Sequence, residues 1–272
     1  MIMNICLFEA DEIRKPLSLK DERGQHLVKI LHKKEGDSFT AGIVGGAAGL
    51  AQITKITPEG IFFNFTPAAG GSGTGKPLYP LKMIIGFPRP IQLKRLLRDV
   101  AALGVSEVHL TGTELGEKSY LQSTLLEKGN ANKMLWDGTV QAGGTHIPDL
   151  FMHKSLTECL EALGIAAESS GGACAGGAGA NGSGRLLLAL DNVRPTTSLG
   201  QAVKDGLEKV AFDNKREVVA AIGSERGWTD RERDFFLQKG FSLCGMGCRI
   251  MRTETAATVA GSIILNEMGY LK

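Results

Sequence analysis

Residues 243 to 257 read LCGMGCRIMRTETAA, a short apolar strand followed by a glycine-bracketed turn and the opening of a helix. Gly245 and Gly247 carry no side chain, so a ligand can lie directly against the backbone of this turn. Thr253 and Glu254 supply a hydroxyl N-cap candidate and a first-turn carboxylate for the apolar run that follows. The stretch therefore predicts a strand-turn-helix unit that binds a ligand at its turn.

A second unit of the same kind lies directly upstream. An apolar strand that ends at Ile222 runs into the turn Gly223 to Gly227, and a helix start follows, with Thr229 as N-cap and Glu232 three residues later. Two such units in succession predict two glycine turns at the carboxyl ends of adjacent parallel strands. Open α/β sheets bind their ligands at such ends.

The composition is that of an ordinary globular protein, with 43% apolar and 22% charged residues among 272. This length is enough for two domains that each bury a core. The net charge of +2 is too small to indicate a nucleic-acid partner by itself. Any RNA binding must therefore come from local basic patches.

The five cysteines and five histidines form no CxxC or HExxH pattern, so we expect neither a disulfide framework nor a metal site. The N-terminus lacks a basic region followed by a long apolar core, and no apolar run is long enough to cross a membrane. We therefore expect a cytoplasmic protein without a membrane partner.

The N-terminal quarter predicts short β segments separated by turns, which is typical of a small β-barrel or sandwich. The predicted segments are Val28 to Leu31, Ser38 to Val44, Leu50 to Ile56 and Ile61 to Phe65. The run 68–75 has the composition of a flexible glycine linker. We therefore predict a first domain at 1–72 and a second domain at 76–272.

A strand-helix-strand unit opens the second domain. The strand Leu81 to Phe87, the helix Ile91 to Leu103 with Gly104 as its C-cap, and the strand Val105 to Leu110 predict a parallel pair. Further on, residues 166–184 are almost devoid of large side chains and predict a flexible surface insertion. Regular structure resumes with a strand at Leu186 to Leu190, a helix at Ser198 to Val210 and a strand at Glu217 to Ile222.

The segments IGSERGWTDRE (222–232) and MGCRIMRTETA (246–256) resemble the paired patterns IGPEGGF and LGxRILRTETA of the ribosomal small-subunit methyltransferase E family, within the trefoil-knotted SPOUT class. The resemblance implies an α/β fold with a C-terminal trefoil-knotted methyltransferase domain and an N-terminal PUA-like β-barrel. It also implies that S-adenosylmethionine methylates N3 of a uridine in 16S ribosomal RNA, in the small ribosomal subunit, with no DNA partner.

The resemblance and the two glycine turns together give the candidate cofactor-binding residues. These are Leu190, Ile222, Gly223, Ser224, Glu225, Gly227, Met246, Gly247, Ile250, Met251, Arg252, Thr253 and Thr255. Arg252 is the candidate for stabilising the anion that forms when uridine N3 loses its proton, because a guanidinium is a fixed charge with a fork of donors. Glu254 is either a general base or a helix-capping carboxylate.

Basic residues give the candidate contacts to RNA. Arg249 flanks the last glycine turn, and Arg89 and Arg95 belong to a basic run that is either a solvated helix face or a phosphate contact. Residues 25–37 resemble the HHLxxVLRxxxGD pattern of the family's RNA-binding domain. That pattern makes Lys29 and Lys33 candidates for a basic face, although a solvated turn is an equal alternative.

In the first domain Gln25 and His32 stand where the family usually shows His and Arg. Five further departures bear on activity or target, and they are Asp99, Ala102, Gly144, Ser224 and Arg226. The first three replace charged residues and leave open a methyltransferase of the same fold with a different RNA target. The last two replace a proline and a glycine and leave open a non-catalytic RNA-binding paralogue.

The last predicted helix, Thr255 to Met268, carries an apolar stripe interrupted by small residues, including Gly261 and Ser262. One side can cover the chain's own sheet while the small side admits a neighbour. The resemblance implies that this neighbour is a second copy of the chain in a two-fold homodimer. The alternative is a helix packed only within its own subunit.

Overall fold

The computed structural model describes residues 4–117, 129–165, 185–209 and 217–271. The insertion predicted at 166–184 lies outside these ranges. The chain divides into two compact units, Met1–Leu78 with Leu135–Ile147, and Tyr79–Met134 with Pro148–Lys272. Residues 135–147 thus group with the first unit, whereas the domains predicted from the sequence place all residues from 76 onward in the second. The assignment to 1–72 and 76–272 stays a prediction.

The first unit contains a four-stranded sheet. Its strands are β1 (Cys6–Phe8), β2 (Ser38–Ile43), β3 (Ala48–Thr57) and β4 (Gly60–Pro67), paired in that order. β1 and β2 are parallel, and the other two pairs are antiparallel. Their inward side chains, such as Phe8, Phe39 and Ile61, form one core. The β segments predicted at 38–44, 50–56 and 61–65 are confirmed.

The strand predicted at Val28 to Leu31 is wrong. Helix α1 (Glu22–Gln25) begins at Asp21, whose carboxylate accepts a hydrogen bond from the backbone N–H of Arg23, and residues 26–30 continue it as a π-helical turn. Leu27 is buried while Lys29 is exposed. The short alternating pattern of residues 28–31 fits a strand and a π-helical turn equally well. The Asp21 cap at the start of α1 favours the helical conformation.

The second unit is built on a seven-stranded sheet. Its strands are β5 (Tyr79–Gly86), β6 (Val105–Thr111), β7 (Asp149–His153), β8 (Arg185–Leu190), β9 (Thr197–Ser198), β10 (Glu217–Ile222) and β11 (Ser242–Gly245). Their order is β7-β6-β5-β10-β8-β11-β9, and every pairing is parallel. The central strands are apolar and buried along most of their length, as expected for a parallel sheet covered on both faces.

Helices connect these strands. They are α2 (Pro90–Leu103), α3 (Asn130–Ala142), α4 (Leu156–Ala162), α5 (Leu199–Lys209), α6 (Asp230–Gln238) and α7 (Thr253–Glu267). Gly104 ends α2 in the left-handed conformation with φ of 82°, as predicted. Thr229 and Glu232 form the predicted capping box of α6. In the described part of the chain no helix is long and apolar enough to span a bilayer.

Two details of the glycine-turn prediction are corrected. The strands that precede the turns, β10 and β11, are not adjacent, because β8 pairs with both and lies between them. The N-cap of α7 is Arg252, which makes no side-chain capping bond, rather than Thr253. The hydroxyl of Thr253 instead donates to the carbonyl oxygen of Gly223, at 3.3 Å.

The small residues of α7 do not leave a free groove at Gly261. A Cβ there would lie 2.8 Å from the Met83 side chain and 3.0 Å from that of Leu103. α7 packs on α2, α5 and β5. Gly261 therefore serves close packing within the subunit, contrary to our expectation that it faces a neighbour.

Candidate functional site

A cavity of about 280 Å³ lies at the carboxyl ends of β8, β10 and β11. The loops after these three strands form its walls, and Thr253 and Ala256 in the first turn of α7 complete it. This is the end of a parallel sheet at which α/β proteins bind ligands.

Glycines allow the backbone to approach closely at this end of the sheet. A Cβ at Gly86, the last residue of β5, would lie 2.5 Å from the backbone nitrogen of Ser224. Gly227 has a φ of 71°, in the left-handed region that favours glycine. A Cβ at Gly223 would lie 3.0 Å from the Cα of Gly227 and 3.4 Å from the ring of Trp228. Gly86 and Gly223 therefore leave no room for a side chain, whereas Gly227 is constrained by its backbone conformation.

Hydrogen bonds fix the three loops to one another. The indole N–H of Trp228 donates to the carbonyl oxygen of Leu190, at 3.0 Å. The backbone N–H of Asp191 donates to the carbonyl oxygen of Cys244, at 2.9 Å. The hydroxyl of Thr113, beyond β6, donates to Ser224 Oγ at 3.1 Å. Together with the Thr253 bond to Gly223, these contacts join the ends of β8, β10 and β11 and the start of α7.

A buried ion pair forms part of the wall. Arg233 Nε lies 3.0 Å from Asp191 Oδ1, and the two side chains are 7% and 1% exposed. Asp191 Oδ2 also accepts a hydrogen bond from the backbone N–H of Arg194, at 2.6 Å. The two charges of the pair offset each other, and the pair ties the loop after β8 to α6.

The rest of the lining is mostly apolar. It includes Leu190, Val193, Ile222, Met246, Ile250 and Met251. Ile250 is 83% exposed and Val193 is 63% exposed, so apolar surface reaches the mouth of the cavity. Apolar walls with a few fixed backbone donors and acceptors suit a flat heterocycle with polar edges.

The structure brings most of the candidate cofactor residues together. Leu190, Ile222, Gly223, Ser224, Glu225, Gly227, Met246, Gly247, Ile250, Met251 and Thr253 line the cavity. Arg252 and Thr255 do not, and both are exposed at the start of α7. The assignment of these residues to cofactor binding stays a prediction.

Glu254 lies away from the cavity. Its Oε2 is buried and has no hydrogen-bond partner among the described residues. Desolvation raises the pKa of Asp99 on α2, and the charge of Glu254 raises it further, while Arg95 and Arg98 oppose the shift. Glu254 is thus close to the charged residues of α2, and it is not among those that line the cavity.

The candidate RNA contacts are dispersed. Arg249 lines the cavity, and Arg89 is an exposed residue whose Nε lies 3.7 Å from Glu225 Oε1. Arg95 is exposed on α2. In the first unit, Lys29 is exposed, and Lys33 borders a cleft of about 310 Å³.

Sequence reasoning missed several lining residues, namely Asp191, Asn192, Val193, Arg233, Cys244 and Ala256. Asp191 and Asn192 directly follow the apolar strand β8, and polar residues at a strand end are a usable signal. The signal was missed because β8 was not predicted to lie between β10 and β11.

Comparison with known proteins shows the family to which the chain belongs. The family model of the RNA methyltransferase domain matches residues 74–265. Ribosomal RNA small subunit methyltransferase E of Treponema pallidum (strain Nichols) is 39% identical over 268 residues, which cover 97% of this chain and 91% of that protein. The chain belongs to the ribosomal RNA small subunit methyltransferase E family. A second relative, methyltransferase E 1 of Borreliella burgdorferi, is 31% identical over 96% of this chain and 97% of its own.

Solved structures show the same fold as this methyltransferase E family member. The Neisseria gonorrhoeae ribosomal RNA small subunit methyltransferase E bound to S-adenosyl methionine superposes with a TM-score of 0.70 at 17% identity, covering 97% of this chain and 98% of that one. A Legionella pneumophila methyltransferase in complex with the same cofactor gives a TM-score of 0.67 at 19% identity, covering 98% of each chain. At such identities the likeness shows the α/β methyltransferase fold with its parallel sheet.

Proposed function

We propose that this methyltransferase E family member transfers the methyl group of S-adenosylmethionine to N3 of a uridine in 16S ribosomal RNA. The observation that carries the proposal is the cavity at the ends of β8, β10 and β11, whose walls contain both glycine turns of the family pattern. Relatives with the same fold contain S-adenosylmethionine, which supports the choice of cofactor.

The cavity residues fit this cofactor. Apolar side chains such as Leu190, Ile222 and Met251 would contact the adenine faces, and the bare backbone of the glycine turns would approach its polar edge. The neutral Asp191 and Arg233 pair would hold the shape of the wall. When bound, the cofactor supplies an electrophilic methyl group on sulfur.

The position of Arg252 supports the proposed role on the RNA. It lies between Met251 and Thr253, which both line the cavity, while its own side chain is exposed. No hydrogen bond or ion pair engages its guanidinium within the described ranges, so it is available to the uridine. A fixed positive charge beside the uracil oxygens would stabilise the anion left when N3 loses its proton.

The N3 proton also needs an acceptor. Glu254 is the sequence candidate for this base, but its position beside α2 gives the role no support. We propose that water accepts the N3 proton as Arg252 stabilises the anion that forms, and that Glu254 belongs to the packing between α7 and α2.

Three further features of the proposal rest on the family. These are a trefoil knot in the second unit, a PUA-like RNA-binding barrel in the first unit and a homodimer. The four-stranded sheet and the exposed Lys29 support an RNA-binding β unit. A cytoplasmic location follows from the proposed ribosomal substrate.

The proposal is tested by methyl transfer in vitro. The purified protein is incubated with labelled S-adenosylmethionine and unmodified small subunits or their RNA, and modified nucleotides are mapped by mass spectrometry. We expect N3-methyluridine at a single position. Methylation of another RNA would indicate a different target, consistent with Asp99, Ala102 and Gly144. Absence of both transfer and cofactor binding would indicate a non-catalytic RNA-binding protein.

Gly223→Val is expected to weaken S-adenosylmethionine binding by about fivefold to 150-fold. The new side chain presses on Gly227 and Trp228, and overpacking of this kind costs about 1–3 kcal/mol. Isothermal calorimetry measures the affinity. Gly200→Val is the matched control, because a Cβ there comes no closer than 3.9 Å to its neighbours. Equal affinities for the two variants would remove the turn after β10 from the binding site.

The dimer proposal places its interface on the outer face of α7. Thr255, Val259, Ser262 and Asn266 follow one another at helical spacing and are exposed or partly exposed, so they form a face that the subunit does not bury. Gly261 cannot test this interface, because its substitution would disturb the subunit's own packing.

Val259→Glu is therefore expected to convert the dimer into folded monomers. A carboxylate in a buried contact costs several kcal/mol unless it is paired. Light scattering measures the mass, and circular dichroism checks the fold. Leu237→Glu is the control, since Leu237 is an exposed apolar residue on α6, 47% accessible. A wild-type protein that is monomeric and fully active would contradict the dimer.

A further inference from the structure

Three potential metal ligands lie close together at the β7 edge of the second unit's sheet, which is the edge opposite to β11 and β9. They are His109 on β6, His153 on β7 and Cys159 on α4, and their ligand atoms all lie within 4.8 Å of one another. The residues are 3%, 7% and 0% exposed, respectively. None of them lines the proposed cofactor cavity, and the proposed methyl transfer does not use them.

Hydrogen bonds on both ring nitrogens hold His109 in one orientation. Its Nε2 lies 2.9 Å from Glu107 Oε2, and its Nδ1 lies 3.0 Å from His153 Nε2. An ionised carboxylate only accepts, so Nε2 carries the proton and Nδ1 turns a lone pair toward His153. Histidines that bind a metal through one nitrogen commonly donate to a carboxylate through the other, which fixes the ring and its tautomer.

The carboxylate of Glu107 is itself held in place. Lys82 Nζ lies 2.9 Å from Glu107 Oε1 and 3.0 Å from Glu217 Oε2. Phe151 stacks on the His109 ring, with centroids 4.7 Å apart and planes 17° from parallel. The imidazole is thus fixed on two sides before any ion binds.

We propose that His109, His153 and Cys159 bind one Zn²⁺ ion. Two imidazoles and a thiolate are ligands that zinc prefers, and a water molecule completes the tetrahedron. The Cys159 thiolate offsets part of the Zn²⁺ charge, while the Glu107 carboxylate is shared between His109 and Lys82. The thiol proton leaves to solvent on binding, and the metal replaces the proton that the two histidines otherwise share.

The separations between the three ligand atoms are close to those of a tetrahedral zinc site. With Zn–N bonds of about 2.0–2.1 Å, tetrahedral nitrogens lie about 3.3 Å apart, and a nitrogen and a sulfur lie about 3.6 Å apart. The two histidine nitrogens are already at 3.0 Å, and a side-chain movement of about 1 Å brings the sulfur in. The ion would join β7, at the edge of the sheet, and α4 to β6.

The three ligands lie on three separate elements, at spacings of 44 and 6 residues along the chain. Such spacings form no local sequence motif. The expectation of no metal site rested on local motifs, so it does not exclude this site.

The test uses the full chain after chelation and dialysis. We expect it to bind one equivalent of zinc, to raise its melting temperature on zinc addition, and to show a thiolate charge-transfer band with Co²⁺. Cys159→Ala should lose the band and the thermal shift, and His153→Ala should bind zinc at least about tenfold more weakly. Glu107→Gln, which removes the orienting carboxylate together with its ion pair to Lys82, should lower affinity about 10–100-fold.

Cys6→Ala is the matched control, because Cys6 is equally buried but lies in the first unit and outside the cluster. It should behave as wild type in every measurement. A wild-type chain that binds no zinc at micromolar concentrations would overturn the site and leave a hydrogen-bonded histidine pair. A cobalt band that survives in Cys159→Ala would overturn it equally. Because methyl transfer is not the readout, these outcomes are independent of the proposed function.

Discussion

Arg252→Ala is expected to lower the rate of methyl transfer by about 10²–10³-fold while the affinity for S-adenosylmethionine changes little. The loss corresponds to about 2.7–4 kcal/mol, the usual effect of removing one donor to a developing oxyanion. The side chain does not line the cavity, so its truncation leaves the cofactor walls intact. Single-turnover kinetics and calorimetry separate the two quantities.

Two companion variants sharpen this experiment. Arg252→Lys should recover only part of the rate, because a point charge cannot reproduce the planar fork of donors. Arg231→Ala removes an 88% exposed arginine on α6 and should leave the rate unchanged. If Arg252→Ala transfers methyl groups at the wild-type rate, the catalytic assignment is wrong.

Asp191→Ala is expected to lower the free energy of unfolding by about 3–5 kcal/mol, since it leaves the Arg233 charge buried without its partner. The guanidinium keeps only its contact with the exposed Asp230, at 3.2 Å. Chemical denaturation measures the change. Replacing both Asp191 and Arg233 with apolar residues of similar size should restore much of the loss, because no unpaired charge then remains.

A nearby surface pair supplies the comparison. Arg194 Nη2 lies 2.8 Å from Asp234 Oδ1, but these side chains are 42% and 56% exposed. Asp234→Ala should therefore cost only about 0–1 kcal/mol despite the similar distance. Equal losses for Asp191→Ala and Asp234→Ala would show that burial of the first pair has no energetic consequence.

Elements with strong local signals were predictable from the sequence. β10 was predicted at its observed residues because an apolar run ends there at Gly223, and α6 because Thr229 and Glu232 form a capping box. The two glycine turns likewise identified most of the cavity lining. Each of these signals is contained within about ten residues of chain.

Non-local features were not predictable in the same way. The position of β8 between β10 and β11 depends on pairing between distant segments, so Asp191 and its partner Arg233 were missed. The N-cap at Arg252 and the packing of Gly261 against Met83 depend on where α7 meets the sheet. The local sequence around these residues carries no information about those contacts.

The strand order also affects how the cavity forms during synthesis. β10 is made after β8 and joins it on one side, but the opposite side of β8 stays unpaired until residues 242–245 exist. Contacts between distant segments form slowly, and an unpaired strand edge is exposed to aggregation meanwhile. A nascent chain that has reached only α6 lacks the part of the cavity wall that the loop after β11 and the first turn of α7 supply. Ligand binding can therefore stabilise only the late stage of folding, after β11 and the first turn of α7 are in place.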